Sequence, residues 1–466
     1  MSSAVVWFRQ DLRLEDNLAL VAALNAHEAV IPLYINDPSL AVVGAAQQWW
    51  LHRSLQALQR ALQQHGLILI FRQGSALEHL MQLVHDHGVD AVYWNRCYEP
   101  VRIQHDQHIK QVLRENGVHA TSFNGSLLQE PWQVKNQQGD WFKVFTPFWR
   151  KCCQQLNMPA RAPLRIPLLN PVHAQSDDLN DWHLLPRNPN WSERFESLWQ
   201  PGENGARAQL QLFIDTHLAQ YAKARDMPAD NVTSKLSPHL HFGEVSPGDV
   251  WRAVTEARMA VGSDQPALDR FLSQLGWREF SYYLLYHVPS LPEKAFKAQF
   301  DAFEWQDNAN ALACWQRGQT GYPIVDAGMR ELWQTGTMHN RVRMVVASFL
   351  TKDLLIDWRL GAAWFWDTLL DADLANNSAS WQWVAGCGAD AAPYYRVFNP
   401  TLQGEKFDPN GHYVRRWVPQ LQHLPNHLIH KPWLVPGAYC PPLVNHDDAR
   451  KRALAYYAAI RQQRDV

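Results

Sequence analysis

Residues 4–116 alternate short, wholly apolar runs with amphipathic stretches, and no other feature restricts the fold of this chain more. "AVVWF" (4–8), "AVIPLYI" (29–35), "LILIF" (67–71) and "DAVYW" (90–94) read as strands. Between and after them, 17–27, 47–65, 75–87 and 101–116 read as helices. In 47–65, Leu51, Leu55, Leu58 and Leu62 recur at steps of four, three and four, and Gly66 ends the helix. Strands that are apolar on both faces and separated by helices belong in a buried parallel sheet. The expected fold class is therefore α/β with a parallel, Rossmann-like sheet over residues 1–130. Ligands of such sheets sit beyond the carboxyl ends of the strands. The GxGxxG fingerprint is absent here, so nothing in this part signals a dinucleotide.

The texture changes over 131–200. "LLNPVHAQSDDLNDWHLLPRNPNW" (168–191) is rich in Pro, Asn and Asp and has no steady period. The expectation for 131–200 is a long interdomain connection that wraps over a surface. From 205 the period is helical. "GARAQLQLFIDTHLAQYAKAR" (205–225) reads as one long helix, and Ser246 with Pro247 as the N-cap and first position of the next. The stretches 266–287, 309–319, 323–336 and 339–356 follow. A large all-α domain is expected over 201–466, and a chain that is 46% hydrophobic can bury both cores.

The net charge of −2 announces no nucleic-acid partner, but it leaves a local basic face open. Six cysteines without a CxxC pair argue against zinc and against a disulfide framework. The N-terminal apolar run is cut by Arg9, Asp11 and Arg13, so it is no signal peptide, and no run is long enough for a membrane span. A cytoplasmic protein is expected. No long extension follows the helical stretches, which disfavours a signalling tail.

Four segments concentrate chemistry. "DADLANNSASWQW" (371–383) packs acids, amides and indoles among small residues. "TGTMHNRVRMVVASF" (335–349) is expected to start a helix at Gly336 and Thr337, setting His339 and Arg343 on one stripe and Asn340 and Met344 beside it. Its arginines suit either an anionic ligand or surface acids. "DNVTSKLSPHLHFGEVSP" (230–247) offers Thr233, Ser234 and Ser237 near a helix start, as a phosphate cradle or a plain cap. "GWREF" (276–280) and "WQW" (381–383) set aromatics beside charge, which suits a stacked flat ligand or an ordinary core.

In order along the chain, "VVWFRQDLRLEDNLAL", "KVFTPFWR", "TSKLSPHLHFGE", "WREF", "TGYPIVDAGMREL", "MHNRVRM", "KDLLIDWR", "DADLANNSASWQWVAG" and "RVFNPTLQGEKFDPNG" resemble the photolyase/cryptochrome family of flavoproteins over nearly the whole chain. The resemblance implies an N-terminal antenna domain and a helical domain that buries FAD, working as FADH⁻. It implies that Tyr221, Thr233, Ser234, Lys235, Leu236 and Ser237 hold the phosphates and ribitol. Arg343 and Asp371 match the pair beside the flavin ring, with Ala372 and Asp373 on the same segment. Asn377 matches the position facing flavin N5, where Asn is the photolyase pattern. Trp381, Trp358 and Trp305 match the tryptophan chain that carries electrons inward. Trp277 and Trp383 match two indoles that clasp a flipped-out pyrimidine dimer. Asn340 and Met344 match further contacts of that pocket, with Gln274, Arg278 and Arg341 beside it. Arg225, Arg396, Gln403 and Lys406 would face DNA.

The implied activity is light-driven repair of cyclobutane dimers in UV-damaged DNA by a monomer. The alternatives are a blue-light photoreceptor and repair of (6-4) photoproducts. The chain departs from the family twice. Gln274 stands where most dimer enzymes have Glu, which implies a reduced repair yield or a shifted specificity. Thr337 stands where Trp is usual, which implies a cavity. An antenna is expected near 93–106, with methenyltetrahydrofolate as the pigment.

Overall fold

A computed structural model describes every residue except 1, 41–42, 159–163, 167–171, 173, 262–264, 392–394 and 463–466. Its N-terminal part is a sheet of β1 (Ser3–Phe8), β2 (Ala29–Asn36), β3 (Ile70–Gln73), β4 (Ala91–Asn95) and β5 (His119–Phe123). All pairings are parallel, in the order β3-β2-β1-β4-β5. Central β1 sets Val5 against Ile31 on one side and Val92 on the other. Ala4, Val6 and Phe8 enter one core layer, and Val5 and Trp7 the opposite one. Helices α1 (Leu18–Ala26) and α2 (Ala45–Gln63) cover the first face, and α3 (Ala76–His87) and α4 (Pro100–Glu115) the second. The leucine stripe of α2 is wholly buried, each side chain contributing about 1.5–3 kcal/mol.

Two details differ from the sequence reading. The third strand starts at Ile70, because Leu67 N–H still donates to Leu62 O and closes the end of α2. The edge strand β5, "HATSF", has no apolar run to betray it.

The connection over 131–200 is less irregular than expected. It contains α5 (Phe145–Gln155), whose Phe145, Phe148 and Cys152 are buried at helical spacing. Further on it lies along the sheet edge: Asp177 N–H donates to Phe71 O, and Trp182 packs edge-on against Phe71. Residues 168–171 and 173 of that stretch lie outside the described residues.

The helical part begins with α6 (Phe195–Leu198) and α7 (Glu203–Thr216). The expected single helix over 205–225 breaks after Thr216, whose hydroxyl bonds back to Leu212 O. A 3₁₀ turn and α8 (Tyr221–Ala224) then bury Leu218 and Tyr221. Next come α9 (Ser237–His241), α10 (Pro247–Val261) and α11 (Gln265–His287). Ser246 caps α10 as expected, its Oγ accepting from Asp249 N. Then follow α12 (Ala309–Gln316), α13 (Pro323–Thr335), α14 (Asn340–Ser348), α15 (Trp358–Thr368) and α16 (Leu374–Ala385). Last are α17 (Pro400–Phe407), α18 (His412–Trp417) and α19 (His446–Gln462).

Gly336 and Thr337 do not start a helix. Gly336 has φ +67° and ends α13, and α14 starts at Asn340 behind a His339 cap. A π-helical turn, Phe349–Asp353, continues α14.

The two parts meet behind α9. Leu12 N–H donates to Phe242 O, and Arg13 donates to Gly243 O. A Cβ at Gly243 would lie 2.0 Å from Gln10 O, so glycine is needed for that approach. Among the described residues no helix is long and apolar enough to cross a membrane, and no cluster of His, Cys, Asp and Glu could hold a metal.

Candidate functional site

A cavity of about 950 Å³ opens among α8, α9, α11, α13, α14 and α16. It lies at the upper end of the range for small-molecule pockets, about 300–1,000 Å³. Of the expected site residues, it gathers Tyr221, Arg225, Thr233, Ser234, Lys235, Leu236, Ser237, Gln274, Trp277, Arg278, Asn340, Arg343, Met344, Asp371, Ala372, Asp373, Asn377 and Trp381.

The wall carried by α16 is set by Asp373. Its Oδ1 accepts from Asn376 N–H at 2.7 Å, which caps the helix. Its Oδ2 accepts from the Tyr282 hydroxyl and stands 3.7 Å from His241 Nδ1. Burial opposes ionisation of this carboxyl. The His241 ring, the Arg278 charge and the Tyr282 hydroxyl outweigh it and hold the pKa down to about 2. One turn on, Asn377 Nδ2 donates to Ala362 O at 2.9 Å, which leaves Oδ1 as an acceptor on the cavity side. Arg343 binds both oxygens of Asp371 through Nη2, at 3.0 and 3.1 Å, and Met338 O through Nε.

Trp381 packs onto α15. A Cβ at Gly361 would fall 2.1 Å from its Cη2, so only glycine admits the indole there. Its ring lies edge-on to Phe365 at 5.0 Å, and its buried Nε1 has no protein partner. Trp358 begins the same helix and is buried. Trp305 is half-buried against Phe303, and its neighbour Gln306 donates to Leu355 O, just before Trp358.

At the opposite end, Thr233, Ser234 and Ser237 surround Lys235, which holds a left-handed φ of +53°. Burial lowers the Lys235 pKa, partly offset by Glu331. Gln209 Nε2 donates to Ser234 O and ties this loop to α7.

The outer wall is less committed. Trp277 stacks one face on Phe145 at 3.8 Å and 9° and lines the cavity. Three residues before it, Gln274 Oε1 accepts from Arg225 Nη2 at 3.0 Å. Arg225 Nε and Nη1 are buried without hydrogen-bond partners. Burial pushes the His339 pKa down to about 4, and its Nε2 also has no partner. Arg278 is partly occupied, donating to Ser126 O at 2.7 Å. Thr337 lines the cavity together with Leu198 and Trp199.

Several expected residues stand elsewhere. Trp383 lines a neighbouring pocket of about 30 Å³ with Lys352, Tyr395 and Arg396, and donates to Asp390 O. Arg341 pairs with Asp226 at 3.1 Å and covers the Phe407 ring. Gln403 and Lys406 lie on α17, and Trp358 and Trp305 belong to, or pack against, the same core cluster as Trp381. In the stretch expected to hold an antenna, Tyr93, Trp94, Asn95, Cys97 and Tyr98 are buried, and Arg96 binds Ser122 and Glu130.

The cavity also takes in His339, Asn376, Ser380 and Glu331, which the sequence reading did not assign to the site. Asn376 and Ser380 were detectable, since they repeat the four-residue step of Asn377 and Trp381. Glu331 sits in α13, and no local pattern marks it.

Residues 4–167 match a family model described as DNA photolyase, and residues 271–459 one described as the FAD binding domain of DNA photolyase. The chain is 49% identical to the deoxyribodipyrimidine photo-lyase of Agrobacterium fabrum, over 98% of each protein. It is 37% identical to Cryptochrome-1 of Arabidopsis thaliana, over 96% of this chain and 69% of that protein. A crystal structure of a bacterial class III photolyase from Agrobacterium tumefaciens superposes with a TM-score of 0.96 at 48% identity, covering 99% of this chain and 98% of the other.

Proposed function

The chain belongs to the photolyase/cryptochrome family of flavoproteins, and from that premise we propose that it is a deoxyribodipyrimidine photo-lyase that splits cyclobutane pyrimidine dimers in UV-damaged DNA under blue light. The observation that carries this reading is one continuous cavity. It joins a hydroxyl-lined end, an Arg–Asp pair, an amide carbonyl and an exposed indole face.

The residues present fit FAD. Thr233, Ser234 and Ser237 offer hydroxyls, and Lys235 a cation, to its phosphates. Arg343, held by Asp371, sets a positive charge where a negative flavin is favoured, in a site of low dielectric. Asn377 Oδ1 offers an acceptor and carries no acidic proton, so it accepts an N–H without protonating a neighbour. When bound and reduced, FAD supplies the light-excited electron that opens the dimer.

The other residues exclude water, orient the lesion and supply reducing equivalents. Trp381 borders the cavity and shares a core cluster with Trp358 and Trp305, and easily oxidised indoles in series would pass electrons inward. Trp277 offers a stacking face for an extruded base. Extrusion costs a few kcal/mol, least for a damaged base. Arg396, Gln403 and Lys406 would contact the phosphate backbone, which makes binding salt-sensitive.

The test loads the protein with FAD, reduces it without oxygen, and illuminates it with oligonucleotides carrying one cyclobutane dimer or one (6-4) photoproduct. Light-dependent restoration of the dimer is expected. Restoration of the (6-4) lesion alone would move the substrate. Restoration of neither would overturn repair and favour a photoreceptor, the reading that the likeness to Cryptochrome-1 supports.

A further inference from the structure

We infer that the small pocket at the end of α16, bordered by Lys352, Tyr395 and Tyr457, is a binding site for a single halide ion, chloride, apart from the large cavity.

The pocket holds about 30 Å³, and Trp383, Gly386 and Arg396 also border it. A water needs about 10–15 Å³ of such space, so one or two atoms of that size fit and a phosphate does not. Lys352 lies in the π-helical turn that continues α14 and is 2% exposed. Its Nζ donates to Arg396 O at 2.6 Å and stands 4.1 Å from the centre of the Tyr395 ring. An ammonium has three donors, so two are left over. The Tyr395 hydroxyl is buried and has no hydrogen-bond partner. It cannot turn far to find one. Tyr457 stacks on its ring at 4.6 Å and 9°, and a Cβ at Gly386 would come within 2.9 Å of its Cδ2. Because Nζ stands over that ring, the hydroxyl on the rim is near enough for one ion to bridge both groups.

The charge around the pocket is positive. Arg396 borders it, and Lys297 donates to Gly386 O at 3.3 Å. Among the described residues no carboxylate forms an ion pair with Lys352. The two acids that act on these lysines are engaged: Asp353 Oδ1 binds His446 at 2.6 Å, and Asp390 Oδ2 accepts from Phe145 N–H. Cys387 supplies no thiolate, since burial pushes its pKa up to about 12 and its Sγ donates to Gln382 O. Burial pushes the Lys352 pKa down to about 7, with Cys387 and Asp353 resisting and Arg396 and Lys297 assisting. A buried ammonium without a counter-ion is costly. A halide between Nζ and the Tyr395 hydroxyl accepts from both and supplies the missing charge, whereas a water supplies none. It would also fasten the end of α16 to the segment that leads into α17.

The experiment uses the FAD-loaded protein in two ways. Crystals soaked in sodium bromide are measured at the bromine absorption edge, and an anomalous peak is expected within hydrogen-bonding distance of Lys352 Nζ and the Tyr395 hydroxyl. In solution, thermal unfolding is followed as chloride replaces gluconate, which is too large for the pocket, at constant ionic strength. The parent midpoint is expected to rise by a few degrees, as mass action requires of a ligand of the folded state. Lys352→Met should abolish the rise. Tyr395→Phe, which keeps the ring, should shift it to several-fold higher chloride, and it decides the matter if Lys352→Met does not fold. No bromide in the pocket, or a parent midpoint indifferent to chloride, overturns the inference; a peak without the solution effect is binding at crystal concentration only. The same rise at the same chloride in the parent and its variants places the ion elsewhere and also overturns it. None of these outcomes bears on dimer repair.

Discussion

The two long walls of the cavity differ in how many of their polar atoms are already satisfied. On the α16 wall, Asp373, Asn377, Asp371 and Arg343 are held by protein partners, and two buried nitrogens, Trp381 Nε1 and His241 Nδ1, are left over. On the outer wall, Arg225 keeps two unpaired donors and His339 an unpaired ring nitrogen. A wall satisfied in advance suits a group that stays bound, since little reorganises when it arrives. A donor buried without a partner costs about 1–3 kcal/mol, so the outer wall carries more of that penalty. Under the proposed function, the first wall would hold the permanent cofactor and the second would meet the passing substrate.

The strongest test of that division is Trp381→Phe. It keeps the apolar fit against Gly361 and removes the easily oxidised indole. Blue-light reduction of bound FAD with an external thiol is expected to be lost, while dimer repair by chemically reduced protein persists. If photoreduction survives, electrons do not enter through the α16 wall. If repair is lost as well, Trp381 also serves the substrate and the division fails.

Asp373→Asn tests how much the first wall contributes to stability. The Asp373 carboxyl lies below its ordinary value of 3.8, at about 2, which corresponds to about 2 kcal/mol of folding stability. Because the folded-state pKa is depressed, this stability is fully present above about pH 4 and is lost as pH falls through about 2. The variant is therefore expected to unfold about 2 kcal/mol more easily in urea at pH 7, and the difference to close as the pH is lowered towards 2. A gap that is independent of pH would make Asp373 a plain helix cap.

Much of the first wall was legible in the sequence, and little of the second. The sheet announced itself because β1, β2 and β4 are buried on both faces and so carry unbroken apolar runs. β5 is an edge strand and was missed. "DADLANNSASWQW" was readable because one helix carries its cap, amide and indole at local spacings. The start of α14 was misread because Gly336 looks the same at a beginning or an end, and only its positive φ decides. The outer wall joins Arg225, Gln274 and His339 from three separate elements, and no sequence period links them. Trp383 shows the converse, since two residues from Trp381 in the chain it points to a different pocket.

The smallest expected effect is also the most discriminating for the outer wall. Gln274→Glu replaces the amide by a group that still accepts from Arg225 but, once ionised, carries no donor. The repair yield of a T–T dimer should rise a few-fold, and should rise further as pH falls towards the ordinary Glu range near 4.3, where the carboxyl carries a proton. The parent amide does not titrate, so its yield should be level across that range. A yield in the variant that is unchanged from the parent and level with pH would mean that position 274 does not touch the lesion.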